Sequence, residues 1–127
     1  MAHLSPIAPA VTCALLATNS GAAADATTND VHCYIVYMQM GSSKEPGVQS
    51  AGIMGTLYFM GKLDGRNPDL DLENAILTEI PKLRGGVFND EAARCQSELQ
   101  ARGQAETAMG KDMQQRAAKM QQEQNSH

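Results

Sequence analysis

A chain of 127 residues with a net charge of −4 and no basic stripe lacks the footprint that phosphate backbones require, which argues against nucleic acid or an anionic membrane surface as a partner. The length allows one small domain. Aromatic residues are scarce, Trp is absent and Met is abundant, so the expected core is an adaptable one of Met, Leu, Ile and Ala around Tyr34, Tyr37, Tyr58, Phe59 and Phe88.

From Met1 to Ala24 there is no Lys, Arg, Asp or Glu, and an apolar run from Ile7 to Ala17 leads into Gly21-Ala22-Ala23-Ala24 before Asp25. This pattern predicts a signal peptide over 1–24, cleaved near Ala24, and a periplasmic or secreted mature protein. The run is about half of the roughly 20 residues that span a bilayer, so stable membrane insertion is not expected. Cleavage would remove Cys13 and leave Cys33 and Cys95. In an oxidising compartment a lone pair in a small domain reads most simply as a structural disulfide. A redox-active thiol pair and a metal site are the alternatives, but redox pairs usually use Cys-x-x-Cys proximity.

Asn29 or Asp30 is placed to cap a first segment, Val31 to Met40, ended by Gly41. Val31, Tyr34, Ile35 and Met38 recur at helical spacing, although the β-branched and aromatic content also fits a strand. Ser42 to Gly47 reads as a linker. Gln49 to Leu63 follows as the expected central buried helix, with Ile53, Leu57 and Met60 as its stripe. Ala51, Gly52 and Gly55 give it a smooth face that a neighbouring helix can approach closely. Asn67 with Pro68 is the expected start of a third helix carrying Leu72, Ile76, Ile80 and Leu83, and Pro81 should end it near Ile80. Arg84-Gly85-Gly86 reads as a hinge-like loop. A long helix is then expected from Asn89 to about Glu123, with Ala92, Cys95 and Leu99 facing inward. Beyond Leu99 the stripe thins to Gly103, Glu106, Gly110, Met113, Ala117 and Met120 in a Gln-rich background. The fold class is therefore all-α: a small bundle of about four helices, one disulfide and a long C-terminal helix. The expected division is a helical core over 25–99 and a helical or partly disordered tail over 100–127.

The exported leader, Cys33, the glycine-containing apolar helix from Gly52 to Gly61, and Cys95 together resemble the periplasmic acid-stress chaperones, a family of short exported all-α proteins with one disulfide. The resemblance is architectural. It implies a binding or stress-protection role, with a protein client or partner and no enzymatic step. Differences from the family are a longer loop between the cysteines, the Leu70 to Leu83 segment with Pro81, and the longer Gln-rich tail.

Candidates for chemistry are few. His32 is the only histidine within the expected domain, and beside a helix start it reads as a surface or packing residue. No phosphate loop, Ser-His-Asp order or paired metal-ligand spacing is present, so no catalytic residue and no cofactor is expected. The methionines offer a second functional reading. Met109 and Met113 are four apart on a helix, with Met120 beyond and Met38 and Met40 elsewhere, and exported thioethers can select Cu(I). A third reading is a subunit that docks its C-terminal helix onto an envelope partner.

Overall fold

The computed structural model describes residues 20–126, which form four α-helices and a short 3₁₀ turn. Residues 1–19 lie outside the described residues, and with them most of the expected leader and Cys13. Ser20 to Ala24 form the first turns of α1, Ser20–Gly41. The Val31 to Met40 segment is thus helical and begins well before the expected cap. Asp30 does not cap it. The residue sits in mid-helix and is buried, because lysine and arginine partners reach it from the next helix.

Helix α1 is the central element, a place expected for the second helix. Asp30, Val31, Cys33, Ile35, Val36 and Tyr37 are all buried, so α1 is enclosed on more than one side. One cluster joins Val31 and Ile35 to Leu63 and Leu83, with Leu72, Ile76 and Phe88 packed against it. Another joins Cys33 and Tyr37 to Phe59 and Cys95. Tyr37 and Phe59 stack at 5.7 Å between ring centroids, and Tyr58 meets Phe59 edge-on at 4.9 Å. Ile, Leu and the aromatic residues of the expected core are in place and Met40 packs partly buried against it, but among the described residues every fully buried aliphatic side chain is Val, Ile or Leu.

Helix α2, Pro46–Arg66, starts three residues earlier than expected, with Pro46 at the first helical position where its missing N–H costs nothing. It packs on α1 through Gly52, Gly55, Phe59 and Leu63, a stripe of near-helical period in which the two glycines meet one end of α1. A Cβ on Gly52 would lie 2.1 Å from the Gly41 nitrogen, and one on Gly55 would lie 2.3 Å from the Tyr37 ring. The close approach expected of these glycines is therefore present. Gly61 faces open space. Gly52→Ala should destabilise the protein by about 1–3 kcal/mol, because backbone must move, whereas Gly61→Ala should stabilise it by up to about 1 kcal/mol through helix propensity. Urea unfolding of the two variants checks the opposite signs.

Asn67 closes the C-terminal end of α2, its N–H donating to the Leu63 carbonyl at 2.8 Å, instead of opening the next helix. That helix, α3, runs Leu72–Glu79 and is capped by Asp71, whose side chain accepts from the Asn74 N–H at 3.0 Å. Pro81 then converts the chain to a single 3₁₀ turn, Ile80–Lys82, as its lack of an N–H requires. Gly85 has φ +56°, a left-handed value that suits glycine, and it admits α4, Gly86–Asn125. At about 1.5 Å per residue this helix is about 60 Å long, and from Gln100 onward it is exposed apart from Gly110. Among the described residues, no helix is long and apolar enough to cross a membrane.

Candidate functional site

The disulfide between Cys33 and Cys95 ties the middle of α1 to α4. Both sulfur-bearing residues are fully buried, so the bond is a structural tether within the core. Arg94, the residue before Cys95, reaches across the same junction. Its Nη2 donates to the Asn29 carbonyl at 2.9 Å and lies 3.2 Å from the Cys33 sulfur, while its Nε donates to Glu91 at 3.0 Å.

Two polar clusters flank this tether. In the first, Lys62 of α2 donates to Asp30 of α1 at 2.7 Å and to Glu98 of α4, joining three helices through one ammonium. Arg66 adds a bond to Asp30 at 3.2 Å, and the Tyr58 hydroxyl donates to Glu98 at 3.4 Å. Lys62 also lies 5.2 Å from the Phe59 ring centroid, so its stem packs along aromatic faces while its head is bonded. Burial alone lowers the Lys62 pKa, but the bonds and charges of Asp30 and Glu98 outweigh it and hold the ammonium above its ordinary range. Burial and the Glu98 charge push the Tyr37 and Tyr58 phenols upward as well.

The second cluster is built on His32, whose Nε2 lies 2.8 Å from Glu79 at the end of α3 and whose Nδ1 lies 3.6 Å from Glu91 of α4. Lys82 donates to the same Glu79 at 2.7 Å. Burial pushes the Glu79 pKa up, yet bonds and charges from Lys82 and His32 prevail, so its carboxyl lies below the ordinary range. Glu79 therefore contributes stability above the unfolded glutamate pKa, near 4.3, and that contribution is lost as pH falls through its lower folded value. His32 is thus a partly buried contact of three helices, the packing alternative of the two expected for it.

Outside this framework lie the apolar surfaces. Ile53 and Leu57, expected to face inward, and Met54 beside them are each more than half exposed on the outer side of α2. The physical reason is that the glycine-rich face lies against α1, which turns the larger side chains outward. A groove of about 320 Å³ opens beside this helix, lined by Tyr37 and Met40 of α1, Ala51 of α2, and Ala92, Gln96 and Leu99 of α4. On α4, Met109, Met113 and Met120 are also more than half exposed. Met109 and Met113 stand on adjacent turns, as the spacing implied, while Met38 and Met40 belong to α1. Among the described residues, no three His, Cys, Asp or Glu side chains converge as a metal-binding group.

The polar framework had a readable signal. Lys62 is the first charged residue after Glu45, at the end of sixteen uncharged residues, and a cation entering such an apolar helix calls for an anion. Asp30, directly before Val31, is its complement. No family model, curated protein or solved structure matches this chain.

Proposed function

We propose that this chain is an exported binding module of the stress-protection type, which shields apolar segments of other proteins and performs no catalytic step. The observation that carries this reading is the outer face of α2, where Ile53, Met54 and Leu57 stand in solvent above a disulfide-tethered core. An apolar surface of this kind on a small protein marks an interaction site. The adjoining groove offers apolar walls for a side chain of a bound segment. The architectural resemblance to acid-stress chaperones points the same way.

Acid strengthens the case. Below about pH 3 nearly all carboxylates are neutral while the ten Lys and Arg stay charged, so the chain becomes strongly cationic. The bridge through Glu79 loses its anion as pH falls through its lowered folded value, and self-repulsion loosens the helices around the disulfide. More apolar surface is then available on a chain that cannot expand fully.

The test is light scattering of an acid-labile client at about pH 2 to 3. The parent chain should suppress client aggregation at equimolar or higher ratio. Met54→Lys with Leu57→Lys, which stays charged in acid, should lose most of that suppression while keeping its helical spectrum. Unchanged client aggregation with the parent chain would overturn the reading.

A further inference from the structure

We propose that the projecting half of α4 is a self-association surface, through which two copies of this chain pair antiparallel over residues 99–124. From Gly103 onward this helix is exposed apart from Gly110 among the described residues, and it carries the ion pairs Arg102 to Glu106 and Arg116 to Asp112. Its sequence is nevertheless ordered with a period of seven. Leu99, Glu106, Met113 and Met120 form one row, and Gly103, Gly110, Ala117 and Gln124 lie four residues after each. The two rows are adjacent on one helix face and have the heptad spacing of a coiled-coil seam.

The rows differ in size, and this selects the orientation. An antiparallel register with its two-fold axis between residues 111 and 112 sets Met120 against the second copy's glycine row at 103, and Met113 against the same row at 110. A Cβ on either glycine would meet nothing within 4 Å, so both positions are open to receive a thioether. Methionine suits such a contact because it is unbranched and adaptable. The register also places Glu106 opposite a small alanine, whereas a parallel in-register pair would set Glu106 against its own copy in the seam.

Charge selects the same register independently. At the flanking positions, Arg102 falls opposite Glu123 of the second copy, and by symmetry this pair occurs twice. Arg116 falls opposite Met109, where its aliphatic stem can cover the sulfur. The paired segment begins at Leu99, which also packs partly buried against the bundle, so the overlap meets the core only at that first residue. It also leaves the outer face of α2 free, and the pairing is independent of the client-binding role proposed above.

The experiment is analytical ultracentrifugation of the full chain at neutral pH over a concentration series. A monomer–dimer equilibrium is expected. Met113→Glu, at an exposed position next to the axis, should weaken the dimer at least tenfold while leaving the tyrosine near-UV signal of the bundle unchanged. Arg102→Glu should weaken it about two- to tenfold, in line with two exposed ion pairs, and adding Glu123→Arg should restore it. A chain that stays monomeric at high concentration, or a dimer indifferent to Met113→Glu, would overturn the proposal. So would failure of the charge exchange to rescue, because only the antiparallel register brings those two residues together.

Discussion

Removing the disulfide should lower stability by about 4 kcal/mol, a large share of the roughly 5–15 kcal/mol available to a domain of this size. The estimate follows from loop closure. Cys33 and Cys95 are separated by 62 residues, and the open chain recovers the entropy of that loop when it unfolds. The effect should also be local, because around Cys95 α4 is otherwise held by the Arg94 bonds, the reach of Lys62 and Tyr58 to Glu98 and the packing of Leu99, while Phe88 and the approach of Glu91 to His32 hold its first turns. Cys33→Ala with Cys95→Ala should therefore shift the urea midpoint and raise hydrogen exchange most strongly in α4 around Ala92 to Leu99. A loss below about 1 kcal/mol would show that the packing of α4 suffices without the tether.

The number and order of the helices were legible in the sequence, although α1, α2 and α4 begin earlier than expected and α3 begins later. Pro81 stops α3, Gly85 with its positive φ precedes α4, and the run from Gly86 to Asn125 contains no proline. The assignment of faces was not legible to the same degree. On α2 the strongest apolar signal came from Ile53, Leu57 and Met60, but hydrophobic periodicity identifies a face without saying what lies opposite it. Gly52 and Gly55 allow backbones to approach, and that contact with Phe59 and Leu63 below it turned Ile53 and Leu57 outward. Local reading also misplaced Asp30. A polar residue before an apolar run resembles a cap, and only the arrival of Lys62 and Arg66 from elsewhere in the chain makes it an interior residue. Asn67 and Asp71 show the same ambiguity, since both can cap and only the geometry of the turn between α2 and α3 assigns one to each helix.

The second large effect is expected at the ammonium that joins three helices. Lys62→Met keeps the length and apolar stem of the side chain, so its packing along Phe59 survives while the charge is lost. Asp30, with a side chain only 4 % exposed, then retains the single bond from Arg66. Glu98 loses its cation as well and is left with the Tyr58 hydroxyl. A buried carboxylate stripped of its main partner costs about 3–5 kcal/mol, and Lys62→Met should approach the lower end because Arg66 remains. Adding Asp30→Asn removes the stranded charge and should recover a large part of the loss, a coupling of 1 kcal/mol or more in a double-mutant cycle. Alkaline titration gives a second readout. The Lys62 pKa is raised in the folded protein, so its contribution is complete below the ordinary lysine range and disappears as pH rises through the folded value. Tyr37 and Tyr58, whose phenols are also raised, lose stability on the same alkaline side in both proteins, the Lys62 charge offsetting part of the Tyr58 shift in the parent. The difference in stability between parent and Lys62→Met should therefore be constant near neutrality and narrow at high pH. Additive losses for the two substitutions, with no recovery in the double variant, would mean that the Asp30 to Lys62 bond is not what joins α1 to α2 at this point.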